Sequence, residues 1–361
     1  MKIYYDYQIF LIQKFGGISK YYINLINNLN PSDEKLIIAP FHKNYYLENQ
    51  NVNIKKLKYF DVSTKNINLI SNYLNKTYTK FLYNLKTPDI FHFTYFKTEN
   101  YLTKKSSHVM TMYDLIKEKF YNNKFKDEKL NKIKYFESMD KIICISENTK
   151  KDLIENYNLP TELAEVVHLG VSFDKSYIES DLKFIEKPYI LFVGDRTRYK
   201  NFKNFIHAFV QSERLKKDFN IICYGGTSFT LDEINLFREA GIIEKIIQTK
   251  GSDLELNFFY KKARCFVFPS FYEGFGLPLL EAMNMDCPVI CSDTSSFPEV
   301  TKNSAAMFDP NSIENIMYEI ENVVYDDEKI SDLVFRGRNN IKNFSWKKCA
   351  DKTEEIYKKI I

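Results

Sequence analysis

Two glutamates, Glu273 and Glu281, flank a Gly-x-Gly in the stretch SFYEGFGLPLLEAM. The preceding apolar run, CFVFPS, reads as a buried strand ending near Ser270, and a helix pattern begins about Leu277, with Pro278 suited to its first turn. Glu273, Gly274, Phe275 and Gly276 therefore occupy a strand-to-helix loop, and Glu281 lies one turn inside the helix. Side chains on a helix lean toward its N-terminus, so Glu281 points back at the loop that holds Glu273. A helix start attracts anions through its unpaired N–H groups and its dipole. The two glycines let backbone N–H groups come close to a ligand. Such a set can hold an anionic ligand between two carboxylates, or the two acids merely complement the dipole of an ordinary helix.

A second loop favours the ligand. YILFVGDRTRYKNF runs from a strand through Gly194 into a polar turn and then a helix, which places Arg196, Arg198 and Lys200 where phosphate sits at the end of a strand. The chain has 44 lysines but only 7 arginines, none before Arg196. An arginine spent in this loop points to the planar fork that phosphate oxygens accept in pairs, against the alternative of a solvated charged turn. A third loop, QKFGGISKYY, puts Gly16 and Gly17 between a strand and a helix, as a tight turn or as a place of close ligand approach.

The elements that must position these loops follow from length and pattern. A chain of 361 residues suggests two domains, each with its own core. Short apolar runs alternate with helical patterns throughout, which argues for parallel sheets covered by helices on both faces. The strand candidates are KIYYDY, KLIIAP, DIFHF, HVMTMYD, KIICIS and AEVVHLG in the first half, then YILFVGD, NIICYGG, KIIQTKG, CFVFPS, PVICSD and AAMFDP in the second. Helical spacing marks Gly17 to Leu29, Asn201 to Leu215, Leu254 to Ala263 and Asn311 to Val324. Periodicity is weakest in SFDKSYIESDLKFIEK. The expected organisation is therefore an N-terminal domain over 1–171, a linker over 172–187, a C-terminal domain over 188–342 and a last helix over 343–361. Two doubly wound domains of this kind leave a cleft where the carboxyl ends of their strands face each other and ligands bind.

The four motifs GGISKYY, FVGDRTRYKN, YEGFGLPLLEAM and SDTSSFPEV, in that order, resemble those of retaining glycosyltransferases of family four with the GT-B fold. The nearest branch contains the mannosyl- and rhamnosyltransferases of bacterial polysaccharide synthesis. The resemblance covers nearly the whole chain. It implies a nucleotide diphosphate sugar bound in the C-terminal domain, a glycan or lipid-linked acceptor bound by the N-terminal domain, and retention of anomeric configuration, with GDP-mannose as the donor the branch suggests. By position, Arg196 and Lys200 match the family's diphosphate ligands. Glu281 matches the acid on the ribose hydroxyls, and Glu273 the acid beside the donor sugar. Gly274, Phe275, Gly276 and Leu277 match the segment whose backbone touches sugar and phosphate. Gly16 and Gly17 match the loop that closes on the diphosphate, and Ser252 and Asp253 lie near the base. The family often carries His-Asp after an N-terminal strand; here MTMYDLI puts Tyr113 before the matching catalytic Asp114. A phenol still donates a hydrogen bond but does not shuttle protons near neutral pH. The resemblance also carries the last helix back onto the N-terminal domain, through the apolar set Trp346, Ala350, Ile356 and Ile360.

In that chemistry the leaving diphosphate gathers negative charge, and Arg196, Lys200 and the helix start are expected to stabilise it without a metal or other cofactor. No paired DxD aspartates are present to hold Mg²⁺. Two alternatives remain at this stage: a non-hydrolysing sugar-nucleotide epimerase of the same fold, and a catalytically silent subunit of a synthase complex, for which Tyr113 is the support.

Charge is uneven. Residues 1–170 carry 25 lysines against 18 acids, a net +7, and the remainder 26 basic against 29 acidic residues, a net −3. That balance reflects lysine-rich composition or a surface that meets anionic lipid, with Lys55, Lys56 and Lys58 as the candidate cluster. Nucleic acid is not expected, because no aromatic-interleaved basic motif appears. The N-terminal apolar patch is short and interrupted, so neither a signal peptide nor a spanning helix is expected. The location expected is the cytoplasm, either free or attached peripherally at the inner face of the membrane. Six scattered cysteines read as buried thiols, and His92 as a hydrogen-bonded histidine at a strand end.

Overall fold

The computed structural model describes residues 1–49, 65–96, 105–121, 129–172, 174–179 and 187–361. The lysine cluster at Lys55, Lys56 and Lys58 lies outside the described residues. The chain divides into two compact units, Met1–Gly170 with Ser345–Ile361, and Val171–Phe344.

In the first unit β1 (Lys2–Tyr5), β2 (Glu34–Ile37), β3 (Ile90–Phe93), β4 (Ser107–Met112), β5 (Lys141–Cys144) and β6 (Ala164–Val166) form one parallel sheet in the order β2-β1-β3-β4-β5-β6. In the second, β7 (Tyr189–Val193), β8 (Asn220–Tyr224), β9 (Ile246–Thr249), β10 (Cys265–Phe268), β11 (Val289–Ser292) and β12 (Ala306–Phe308) run in the order β12-β11-β10-β7-β8-β9. All twelve apolar runs read from the sequence are strands. The reason is burial on both faces. In β3, β7, β8, β10 and β11 every residue is buried, so the strands are apolar apart from His92, Asn220 and Ser292 and do not alternate. Parallel neighbours need a crossover between them, and helices supply it.

The strand order decides where a ligand can sit. From β7 the second sheet grows outward through β8 and β9 on one side, then returns to add β10, β11 and β12 on the other. The connections after β7 and β10 therefore leave in opposite directions, and a crevice opens between them at the carboxyl ends. In the first unit the corresponding divergence lies between β1 and β3.

Helix bounds follow capping. The expected single stretch from Asn201 to Leu215 is two helices, Phe202–Gln211 and Glu213–Asp218, because the Ser212 hydroxyl accepts from Leu215 N and starts a new one. Asp174–Glu179, assigned above to a linker, holds to the second unit. Ile178 N donates to Leu254 O at 3.2 Å, Asn284 Nδ2 to Asp174 O at 3.1 Å, and Lys175 pairs with Asp286 at 3.0 Å. The last helix, Trp346–Ile360, lies in the first unit against the helix Gly17–Asn28. Its buried face is Cys349, Ala350, Thr353, Glu354, Ile356 and Tyr357. Polar anchors fix it there: Ser107 Oγ donates to Ile360 O at 2.6 Å, and Tyr357 hydroxyl meets His92 Nδ1 at 2.6 Å. Gly170 allows the close approach, since a Cβ there would fall 2.3 Å from Trp346 N. All six cysteines are buried free thiols. Among the described residues no helix is long and apolar enough to cross a membrane.

Candidate functional site

The crevice at the carboxyl ends of β7 and β10 brings together Lys200 and Glu273, 73 residues apart in sequence. After β7 the chain turns at Gly194, whose φ of +111° falls in the region that favours glycine. It then makes a single 3-10 turn, Arg198–Lys200. Asn201 leaves that turn in the left-handed conformation, φ 55°, and its side-chain amide donates to Pro310 O at 2.8 Å. This anchor aims Lys200 into the crevice. Its ammonium donates to Glu273 Oε1 at 2.6 Å, and Ser270 Oγ donates to the same oxygen at 2.8 Å. Lys200 Nζ also lies 5.0 Å from the centre of the Phe268 ring. Burial by itself would lower the pKa of this amine, but the adjoining carboxylate of Glu273 overrides it and holds the ammonium above its ordinary value. The amine therefore stays an ammonium at neutral pH, ion-paired with Glu273.

The loop that carries Glu273 is braced from a distance. Ser295 Oγ donates to Glu273 O at 2.6 Å and accepts from Glu273 N at 3.1 Å. Ser296 Oγ lies 3.0 Å from Glu273 O and 2.9 Å from Phe275 O, and Thr294 Oγ1 donates to Phe271 O at 3.1 Å. The SDTSSFPEV motif is thus a scaffold for the EGFG loop, a role its residue types alone do not reveal. Gly276 ends the loop at φ +100°; a Cβ there would sit 2.9 Å from Leu279 Cδ1 and 3.2 Å from the Phe297 ring. The helix Leu277–Asn284 begins at this glycine with no side-chain cap. Glu281 is half-buried one turn in, on the same helix.

Arg196 is placed differently from Lys200. Its Nε donates to Glu233 Oε1 at 2.7 Å and its Nη2 to Thr227 O at 2.7 Å, while its guanidinium stacks 4.7 Å from the Phe229 ring. The side chain is 4% exposed, and only Nη1 is without a partner among the described residues. Two of its three nitrogens thus hold the Thr227–Ser228 segment after β8 and the helix Leu231–Glu239 in place. Ser252 caps the helix Asp253–Lys262 in a reciprocal box with Glu255, which commits its hydroxyl, and Tyr224 hydroxyl donates to Ser252 O at 2.9 Å. Asp253 is in the first turn of that helix.

In the first unit, Gly16 makes room for Gln13, whose Oε1 accepts from Ser19 N at 3.1 Å and so caps the helix Gly17–Asn28. Nothing lies within 4 Å of where a Cβ of Gly17 would be. Tyr113 is buried edge-on against Tyr21 and Tyr22, and burial pushes its pKa well up. Asp114 Oδ1 accepts from Ile116 N at 3.0 Å. His92 is fully buried, bonded through Nδ1 to Tyr357 and through Nε2 to Thr111 at 2.9 Å, and burial lowers its pKa to about 3. At the divergence between β1 and β3, buried Asp6 accepts from Thr94 N at 2.9 Å and Thr94 Oγ1 at 2.5 Å, with its pKa raised by burial. That residue was not singled out from the sequence, although its position directly after a strand was a signal. Among the described residues no cluster of His, Cys, Asp or Glu side chains converges as a metal site.

Residues 174–340 match the family model described as glycosyl transferases group 1. The chain is 32% identical over 238 residues to the O-antigen chain mannosyltransferase B of Escherichia coli, covering 62% of each chain. It is 29% identical over 212 residues to the O-antigen chain mannosyltransferase RfbU of Salmonella typhimurium, covering 57% of this chain and 56% of that one. These matches thus span less than two thirds of either relative. A solved glycosyltransferase from Rickettsia africae superposes with a TM-score of 0.75 over 99% of this chain and 98% of the other, at 18% identity.

Proposed function

We propose that this chain, a GT-B fold with a glycosyl transferases group 1 domain at residues 174–340, moves a mannose-like hexose from a nucleotide diphosphate sugar to a glycan or lipid-linked acceptor in cell-surface polysaccharide synthesis. The observation that carries the reading is the Lys200–Glu273 pair beside the uncapped start of the helix Leu277–Asn284, at the switch point of the second sheet. A diphosphate placed there meets a permanent ammonium and a positive helix end. These stabilise it most as its charge grows during departure, which is where stabilisation speeds the reaction. Glu273 lies beside the sugar, where positive character develops, and Glu281 holds the ribose. Arg196, buried and bonded to Glu233 and to Thr227 O, contributes by fixing the loop after β8 beside the diphosphate. Phosphate charge is balanced by these groups without a metal, and transfer retains configuration. The relatives are named mannosyltransferases, which supports mannose as the sugar; GDP-mannose is the donor that completes the proposal. The acceptor belongs to the first unit, whose surplus of lysine also favours peripheral contact with anionic lipid at the inner face of the membrane.

A thermal-shift panel of GDP-, UDP-, ADP- and dTDP-sugars tests the donor assignment. A ligand at about 100 times its Kd stabilises by about 2.7 kcal/mol, so GDP-mannose should give the largest shift; a panel with no shift contradicts the reading. Donor binding with no nucleotide release in the presence of glycan acceptors would instead favour a silent subunit, consistent with Tyr113 in place of a histidine.

A further inference from the structure

Three aromatic rings stand together on the surface of the first unit. Phe15 lies 5.0 Å from Tyr45 and 6.3 Å from Tyr46, centre to centre, and Tyr45 lies 5.9 Å from Tyr46. Phe15 is 58% exposed and Tyr45 49%, and Ile12, three positions before Phe15, is 46% exposed. Scattered apolar side chains on a surface need no explanation, but rings gathered in one exposed patch mark a place of contact.

The sheet sets the position of this patch. Phe15 follows the helix Gln8–Ile12 that comes after β1, and Tyr45 and Tyr46 lie on the segment that leaves β2. β1 and β2 are parallel neighbours, so both segments leave the carboxyl end of the sheet, the end at which ligands of such folds bind. Asn44, completely buried, ties the two together: its Nδ2 donates to Gln13 O at 2.8 Å, and its Oδ1 accepts from Tyr46 N at 3.1 Å and Leu47 N at 3.3 Å. Tyr45 N donates to Lys14 O at 2.9 Å. The backbone under the rings is thus fixed, and a ligand that stacks on them pays little for ordering the protein. Beside Phe15 the space at Gly17 is open, with no atom within 4 Å of where a Cβ would be.

We propose that Phe15 and Tyr45, backed by Tyr46, form a stacking platform for a pyranose ring of the glycan acceptor. The proposal rests on the transferase reading above and names the residues of the first unit that hold the acceptor. Chemistry selects this occupant. The C–H face of a pyranose is apolar and slightly positive, and it suits the electron-rich face of an aromatic ring. The sugar's hydroxyls need polar partners at the rim, and the Tyr45 phenol and exposed Lys14 are there to supply them. Area agrees. With about half of the 150–250 Å² of a ring showing, Phe15 and Tyr45 with Ile12 offer roughly 300 Å², well under the ~800 Å² that each side of a stable dimer buries. A second copy of the chain therefore fits less well than a sugar or two.

The test is saturation-transfer NMR and calorimetry of the full chain, without nucleotide, against three trisaccharides: α-mannotriose, maltotriose and a galactose trisaccharide. Wild type should bind at least one of them, with saturation reaching chiefly its ring C–H protons. Phe15→Ala/Tyr45→Ala should weaken that binding at least tenfold, while Phe15→Tyr/Tyr45→Phe, which keeps both rings, should stay within about threefold of wild type. Thermal melts should be unchanged in both variants, which shows that they fold, and the Kd for GDP should be unchanged as well. If wild type binds none of the trisaccharides the platform is refuted, while the transferase reading stands on its own donor test. Equal binding by wild type and the alanine variant refutes the role of these rings. Weaker GDP binding in the alanine variant overturns the proposal in favour of a surface that meets the donor. Dimers of wild type that become monomers in the alanine variant, seen by light scattering, overturn it in favour of a contact between copies.

Discussion

Replacing Lys200 by glutamine separates the two things this side chain does. Lys200 and Glu273 are 2.6 Å apart with only 14% and 13% of their side chains exposed. Removing one partner of a buried pair costs about 3–5 kcal/mol because the other charge is stranded. Glu273 keeps a donor, Ser270 Oγ at 2.8 Å, and some contact with water, so the expected loss is smaller, about 1.5–3 kcal/mol. For a unit the size of Val171–Phe344 that lowers Tm by about 3–12 °C. The double variant Lys200→Gln/Glu273→Gln removes both charges and leaves two amides able to bond each other. It should recover most of the lost stability, with a coupling of about 1–2 kcal/mol in the double-mutant cycle. Affinity for the nucleotide diphosphate should not recover. Loss of one charge-assisted bond of about 1.5–3 kcal/mol raises Kd roughly 10- to 150-fold in the single variant, and the double variant should stay there. Calorimetry supplies both readouts. Additive stability losses would show that the pair is uncoupled, and an unchanged Kd in Lys200→Gln would refute the diphosphate assignment.

Three further outcomes follow. Glu281→Gln should weaken binding of free nucleotide diphosphate, while Glu273→Gln should chiefly reduce kcat; titrations and rate curves showing the reverse would exchange the two roles. His92, held by burial at about 3 against about 6.5 when unfolded, contributes stability that is present above pH 6.5 and lost as pH falls toward 3. The first unit should therefore lose about 2 kcal/mol between pH 7 and 5, a slope that His92→Gln removes in thermal melts; an unchanged slope would exclude His92 as its source. Burial would raise the Asp286 carboxyl, but Arg338 at 2.7 Å and Lys175 at 3.0 Å bring it down to about 2, so its stabilisation is present above about pH 3.8 and lost as pH falls toward 2. Asp286→Asn should flatten the acid limb of the second unit's melting profile, and a limb of unchanged steepness would contradict this.

The strands were legible because burial on both faces forces unbroken apolar runs, and CFVF or YILFV can satisfy no other role. Lys200 and Glu273 were legible for a related reason: each follows such a run directly, and strand ends at a switch point are where loops converge. Arg196 read as a phosphate ligand because its type and loop suit one. Its partner Glu233 lies 37 positions away on the helix Leu231–Glu239, a pairing that no local pattern encodes. The bracing of Glu273 by Ser295 and Ser296 is hidden likewise, since serines after a strand suit any turn. The docking of the helix Lys65–Leu85 through the Asn75 amide onto Phe41, 34 residues away, is likewise encoded by no local pattern.

The most direct test of the proposed transfer is to incubate the full chain with GDP-mannose and a polysaccharide-derived acceptor and follow both nucleotide and sugar by proton NMR. The account predicts release of GDP in amounts equal to a new mannosyl linkage of the donor's own α configuration, and loss of both in Lys200→Gln. A product of inverted configuration would contradict retention, and a bound but intact donor across active acceptors would contradict transfer itself.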